Sequence, residues 1–311
     1  MFSEKLPQTV VHRANSLGQA GQDWLAGLDQ MVQETLTTQQ LTFTSVLAGG
    51  TESLVLSAER SDGTAAILKF GLPGSADLSV EAKVYRLAEG HGYADLLHHD
   101  PQHNLIILEK LGPPLEHEKK PVKEQIRILS KLMMSSWIEL SEDEATQAGF
   151  MTGAEKADWH VNFLQEQLQQ RDLPCSQALI ECALTFAAQR KAAYNPQKSV
   201  LVHGDAHSLN TLQSNGNYKF IDPDGLFGEP ALDLCLPMRE YNDDLLAGNV
   251  QTGAVQRCHD ICSISGVAAE PIWQWGLVER VSSAFVLAMV DLQDEARKTF
   301  DVAEQIYQIT V

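Results

Sequence analysis

The sequence predicts an α+β protein with a small N-terminal lobe built on a sheet and a larger, mostly helical C-terminal lobe. From residue 41 to residue 111, short runs of β-type residues alternate with turn signals, as in "LTFTSVLAGG" and "AAILKF". After Pro121 the apolar residues recur at helical spacing instead, as in "VKEQIRILSKLMM". We therefore expect a helical extension over residues 1–40, the sheet lobe over 41–112 and the helical lobe over 113–311.

The N-terminal lobe has a predicted order of elements. In "DWLAGLDQMVQETL", residues 23–36, the apolar side chains fall on one helical stripe, which predicts an amphipathic helix packed on the next unit. Three strands, a helix over residues 79–89 and two further strands follow. The segment "GPP" at 112–114 marks the end of this lobe.

Residues 200–234 interrupt the helical pattern of the C-terminal lobe. The apolar segments "VLVHGD" and "YKFIDPDG" flank the turn "SNGN". This pattern predicts a pair of short strands embedded among the helices.

Composition and charge restrict the classes of partner. With 41 acidic against 23 basic residues, the net charge of −18 repels nucleic acid and attracts cationic small molecules. No apolar run reaches the roughly 20 residues that span a bilayer, and the N-terminus lacks the pattern of a signal peptide. We therefore expect a cytoplasmic protein, a monomer or a weak dimer, that binds neither nucleic acid nor membranes.

The segment "LVHGDAHSLN", residues 201–210, allows two kinds of chemistry. On a strand, His203, Asp205 and His207 would project from one face and could bind metal, as in a metal-dependent hydrolase. Alternatively, Asp205 and Asn210 have the spacing found in the catalytic loop of a protein kinase. In that loop the aspartate serves the attacking hydroxyl and the asparagine holds magnesium.

Phosphoryl transfer also requires residues outside this segment. It needs another oxygen ligand for magnesium and a cation on the nucleotide phosphates. Asp222 follows an apolar segment in "FIDPDG", and Lys69 lies in the predicted strand "AAILKF". Glu81, in the next predicted helix, could fix this lysine. These residues occur in the order and on the elements that a kinase requires, and no "GxxxxGK[ST]" motif of a P-loop enzyme is present.

These motifs resemble those of the aminoglycoside phosphotransferase family, small-molecule kinases with a protein-kinase-like two-lobed fold. The segments "HGDAHSLN" and "IDPDG" are similar to the family signature "HGDxxxxN … IDP". The resemblance is greatest with the streptomycin 6-phosphotransferase and hydroxyurea-resistance kinase branch. The other segments that carry it are 24–28, 49–51, 62–69, 71–73, 81–82, 105–111 and 228–234. The resemblance implies ATP and Mg²⁺ as cofactors and a hydroxyl of a streptomycin-type or other small polar molecule as acceptor.

The resemblance also implies a role for each matching residue. Asp205 would orient the acceptor hydroxyl and take its proton, while Asn210 and Asp222 would bind magnesium. Lys69 would contact the α- and β-phosphates, and Glu81 would hold Lys69 in place. Further nucleotide contacts would come from backbone groups of Gly49, Gly50, Thr51, Glu109, Lys110 and Leu111.

Support for the loop and recognition of the acceptor complete the expected site. Asp233 would support the loop through its backbone amides, and His203 would pack behind it, with His207 beside Asp205. The carboxylates that could face a cationic acceptor are Asp224, Glu240, Asp243 and Asp244. Their alternative roles are a turn cap for Asp224 and a solvated helix start for the other three. A kinase-fold protein that binds nucleotide without phosphoryl transfer is a further alternative, which the complete set of expected residues disfavours.

Overall fold

The computed structural model of the protein describes residues 6–47, 52–74 and 77–311. The described residues up to Gly112 form one compact unit, and Pro113–Val311 form another. No helix in these ranges is both long enough and apolar enough to cross a membrane.

The described part of the first unit combines an antiparallel sheet with helices. Its helices are α1 (Gln8–Ser16), α2 (Gln19–Thr38) and α3 (Leu78–Ala88). Its strands are β1 (Leu41–Leu47), β2 (Ser53–Arg60), β3 (Ala65–Gly71), β4 (Leu96–Asp100) and β5 (Leu105–Glu109). The strand order across the sheet is β1-β2-β3-β5-β4, and every neighbouring pair is antiparallel. The predicted order of three strands, one helix and two strands is confirmed.

Helix α2 buries its apolar stripe against the sheet. Leu28, Val32 and Leu36 recur every four residues, so they lie on one face of the helix. All three are buried in one hydrophobic cluster with Leu54 and Leu56 of β2. The helical region predicted over residues 1–40 therefore shares its core with the sheet of the first unit.

The second unit is mostly helical, and its strands are short. Its helices are α4 (Val122–Ser136), α5 (Glu142–Ala148), α6 (Gly153–Gln167), α7 (Gln177–Ala193), α8 (Ala231–Leu234), α9 (Leu236–Arg239), α10 (Asn242–Leu246), α11 (Val250–Ser265), α12 (Ala269–Met289) and α13 (Gln293–Ile306). Its strands are β6 (Met151–Thr152), β7 (Val200–Val202), β8 (Thr211–Ser214), β9 (Asn217–Phe220) and β10 (Leu226–Gly228). Together the two units confirm the predicted α+β class.

The strands near residue 200 do not pair as the sequence predicts. β9 forms a hairpin with β8 around Asn215 and Gly216, which both have positive φ, as a tight hairpin turn requires. β7 pairs instead with β10, which also pairs with β6. The prediction missed β8 because "TLQS" is short and largely polar, so its strand character comes from pairing with β9 and not from an apolar pattern.

Leu28→Ala should destabilise the first unit, because it removes a fully buried side chain from the contact between α2 and the sheet. We expect a loss of about 2 to 5 kcal/mol in the free energy of unfolding, measured by urea denaturation. Gln33→Ala, at an exposed position of the same helix, is the control. Equal effects of the two substitutions would show that α2 does not share the core of the sheet.

Candidate active site

The loop of residues 203–210, between β7 and β8, is held by a buried carboxylate. Asp233 on α8 is fully buried and accepts hydrogen bonds from the backbone amides of His203 at 3.1 Å and Gly204 at 2.8 Å. It also accepts one from Nε1 of Trp137 at 3.0 Å. Burial raises the pKa of Asp233, and these donors counteract that effect. The structure thus places Asp233 where the resemblance implies, against the backbone of the loop.

His203 lies within the loop as a structural residue. Its Nδ1 accepts a hydrogen bond from the backbone amide of Asp205 at 3.1 Å, so the ring proton is on Nε2. Nε2 donates to the carbonyl of Ile221 at 2.9 Å, and the ring meets Phe220 edge-on with centroids 4.8 Å apart. Both ring nitrogens are therefore occupied, and the alternative prediction of a metal site at His203, Asp205 and His207 is wrong. Over residues 6–47, 52–74 and 77–311, no three His, Cys, Asp or Glu side chains are grouped to hold a metal ion.

The carboxylate of Asp205 is paired but still accessible. Nη2 of Arg239 lies 3.1 Å from its Oδ1, and Nε2 of His207 lies 3.3 Å from its Oδ2. Desolvation alone would raise the pKa of Asp205, but the hydrogen bond from His207 and the charge of Arg239 hold it well below the usual range. The side chain remains 36% exposed, so an ionised carboxylate with unused lone pairs faces solvent.

Asn210 directly precedes β8 and Asp222 follows β9, so both residues lie at the end of the hairpin opposite its turn. The amide of Ile221, next to Asp222, donates to the carbonyl of Asn210 at 2.9 Å. Nδ2 of Asn210 donates to the carbonyl of Asp205 at 3.1 Å, which leaves its Oδ1 as an acceptor. Asp222 has a left-handed backbone with φ of 56°. The backbone contact brings these two residues to the same end of the hairpin, and an amide oxygen and a carboxylate suit Mg²⁺, which prefers oxygen ligands.

In the first unit, Lys69 and Glu81 form the expected ion pair. Nζ of Lys69 on β3 lies 2.7 Å from Oε2 of Glu81 on α3. The hydroxyl of Tyr85, one turn further along α3, donates to Oε1 of the same glutamate at 3.0 Å. Glu81 is buried, so this lysine has a fixed position in the sheet.

Of the other residues predicted to contact the nucleotide, three lie outside the described residues and two have backbone amides that are already hydrogen-bonded. Gly49, Gly50 and Thr51 lie outside the described residues. The backbone amide of Glu109 donates to the carbonyl of Asp95 at 3.0 Å, and that of Lys110 donates to the carbonyl of Ala65 at 3.2 Å. These two amides are therefore engaged within the sheet, and an adenine contact depends on Leu111 or on carbonyl groups.

Three of the four predicted acceptor-site carboxylates are in ion pairs with arginine or lysine. The pairs are Glu240 with Arg239 at 2.9 Å, Asp243 with Lys298 at 3.0 Å and Asp244 with Arg257 at 3.0 Å. Asp224 is exposed and has no ion pair within the described part of the chain. Desolvation, and next the charge of Asp205, raise the pKa of Asp224. Of the four, Asp224 has the negative charge that is least compensated.

Comparison with known proteins finds a family match for the sequence of this chain. The family model of aminoglycoside/hydroxyurea antibiotic resistance kinases matches residues 39–290. A streptomycin 6-kinase of Streptomyces glaucescens is 28% identical over 254 residues, which are 80% of this chain and 78% of that protein. A hydroxyurea phosphotransferase of Kitasatospora aureofaciens is 27% identical over 227 residues, covering 70% of this chain and 62% of that protein.

Solved structures with low sequence identity share the fold. A macrolide 2′-phosphotransferase from Brachybacterium faecium aligns with a TM-score of 0.59 and 15% identity, over 92% of this chain and 99% of that one. A thermostable mutant of the aminoglycoside phosphotransferase APH(4)-Ia, solved with ADP and hygromycin B, aligns with a TM-score of 0.57 and 15% identity. This second alignment covers 90% of this chain and 99% of the other. The predicted protein-kinase-like fold is confirmed.

Asp233→Asn should destabilise the second unit, because an amide has one acceptor oxygen where the loop uses both carboxylate oxygens. A loop amide would then be buried without a partner, at a cost of about 1 to 3 kcal/mol in the free energy of unfolding. Urea denaturation measures this loss, with Asp172→Asn at an exposed site as the control. A loss no greater than in the control would refute the role of Asp233.

Proposed function

We propose, since this chain belongs to the family of aminoglycoside/hydroxyurea antibiotic resistance kinases, that its acceptor is a small cationic alcohol. The family makes it an ATP-dependent small-molecule phosphotransferase. The observation that carries the proposal is the ionised, partly exposed carboxylate of Asp205 together with the carboxylate of Asp224, on which it acts and which forms no ion pair within the described residues.

Asp205 would act on the hydroxyl of the acceptor. The hydroxyl oxygen forms a bond to the γ-phosphorus while the bond from this phosphorus to the β,γ-bridging oxygen breaks, so that ADP leaves. The hydroxyl proton passes to Asp205. Because the transition state of phosphoryl transfer is loose, the nucleophile needs orientation more than a strong base. A carboxylate whose pKa is held low and whose two oxygens are anchored suits that task.

The remaining roles that the resemblance implies fall on residues of each unit. Asn210 and Asp222 would hold Mg²⁺ through oxygen ligands, and the ion would neutralise charge on the phosphates. Lys69, fixed by Glu81, would bind the α- and β-phosphates. Leu111 would offer its peptide group to the adenine edge.

The charge distribution supports a cationic acceptor. The chain carries a net charge of −18, which attracts cations over long range. Locally, Asp224 and Asp205 repel each other, and an ammonium or guanidinium group between them would reduce this repulsion. Glu240, Asp243 and Asp244 are already in ion pairs with arginine or lysine, so Asp224 is the residue that we assign to acceptor recognition.

Asp205→Asn should abolish transfer while nucleotide binding is retained, because the amide cannot take the hydroxyl proton. We expect a loss of about 10² to 10⁴ in kcat, measured as ADP release with Mg·ATP and streptomycin. The dissociation constant for ATP, measured by fluorescence titration, should be unchanged. A variant that released ADP as fast as wild type would remove Asp205 from the mechanism.

Asp224→Asn should discriminate between acceptors by charge. Streptomycin is a cation and hydroxyurea is neutral, so the substitution should raise KM for streptomycin by about 10-fold, or about 1.4 kcal/mol, and leave hydroxyurea kinetics unaffected. Asp243→Asn, at an exposed position paired with Lys298, is the matched control. If wild type preferred hydroxyurea, or if both variants behaved alike, the proposed cationic acceptor would be wrong.

A further inference from the structure

We propose that Arg239 is a positioning residue for the transfer reaction, which holds the carboxylate of Asp205 in its reactive orientation. The inference rests on the proposed function, in which Asp205 meets the acceptor hydroxyl. Arg239 belongs to no recognised motif of the sequence, and its contacts join Asp205 to a buried charge network of the second unit.

The guanidinium of Arg239 contacts three carboxylates through three different nitrogens. Nη2 lies 3.1 Å from Oδ1 of Asp205, and Nε lies 2.9 Å from Oε1 of Glu240. Nη1 lies 3.5 Å from Oε2 of Glu279. Because the guanidinium is planar, three contacts in different directions fix both the position of the group and its plane. A flexible surface ion pair would lack this constraint.

Glu279 supports Arg239 from the interior. It lies on α12, its side chain is 8% exposed, and Nε2 of His160 lies 3.0 Å from Oε1. Nζ of Lys156, one turn before His160 on α6, lies 3.6 Å from the same oxygen. The cations of Lys156 and Arg239 keep the pKa of Glu279 below its usual range in spite of burial. His160 is held in turn by Ser282 at 2.8 Å from Nδ1.

The backbone around Arg239 is fixed by two other arginines. Nη1 of Arg257 donates to the carbonyls of Pro237 at 3.2 Å and Glu240 at 2.7 Å. Arg280, which is fully buried, donates to the carbonyl of Met238. The carbonyls on both sides of residue 239 are thus held, so the guanidinium of Arg239 reaches Asp205 from an ordered segment.

The charged groups that act on Asp205 come from several elements. From its own loop these are His203 and His207, from the segment after β9 Asp224, from α6 Lys156, and from the end of α9 Arg239. Glu240 acts on two of these groups, His207 and Arg239. Of the groups in direct contact with the carboxylate, Arg239 alone keeps its charge at every pH of interest. Removing it would leave Oδ1 of Asp205 without its guanidinium partner, so the orientation of the carboxylate would no longer be fixed from that side.

The test compares kcat and KM of wild type, Arg239→Gln and Arg190→Gln, each alone and combined with Asp205→Asn. ADP release is followed with Mg·ATP and streptomycin. Arg239→Gln should lower kcat by about 10-fold or more, with KM for ATP unchanged within about 2-fold, and should lower kcat no further when Asp205→Asn is already present. Arg190→Gln, which removes a 10% exposed arginine that pairs with Glu229, should leave kcat unchanged in both backgrounds.

A fall in kcat of the same size in the Asp205→Asn background would mean a merely structural role and would overturn the inference. If Arg239→Gln does not fold, as judged by circular dichroism, Arg239→Lys carries the test. Lysine keeps the charge but cannot contact three carboxylates in one plane, so kcat should fall in the wild-type background and not in the Asp205→Asn background. Unchanged kcat in this variant would also overturn the inference. An active Asp205→Asn, in contrast, would refute the proposed function itself, whatever the result for Arg239.

Discussion

The second unit depends on one buried carboxylate that organises a polar loop. Asp233 accepts two backbone amides of the 203–210 loop and the indole of Trp137, so groups that would be costly to bury unpaired are satisfied together. Gly204 makes this close approach possible. It has φ of 91°, and a Cβ there would lie 2.9 Å from Cβ of Asp224. The position of Asp205 follows from the anchored backbone on either side of Gly204.

The site residues that the sequence predicted lie close together in the chain or on consecutive elements. Asp205, Asn210 and Asp222 lie close together in the chain, on a loop and a hairpin with recognisable turn residues, so spacing alone relates them. Lys69 and Glu81 come from consecutive elements, and the apolar pattern of the strand and helix places them correctly. Local sequence patterns are therefore sufficient to predict the fold class and this part of the candidate site.

The residues that the sequence did not reveal are related only through tertiary packing. Arg239 reaches Asp205 across 34 positions of sequence, and His160 reaches Glu279 across 119. Neither pair has a spacing that follows a helical or strand period, and "REYN" reads equally well as a solvated helix start. The same limit explains the strand pairing, because β7 finds its partner in β10 and not in the nearer β9.

The β8–β9 hairpin separates two stages in the assembly of the site during folding. Its short turn lets Asn210 and Asp222 approach each other by closing a small loop, an event on the microsecond scale for isolated hairpins. The contact of Asp205 with Arg239 joins distant parts of the chain, and contacts of this kind form more slowly than a hairpin. Asn210 and Asp222 can thus approach each other before Arg239 reaches Asp205, and a chain arrested between these stages would hold this pair without the contact that orients Asp205.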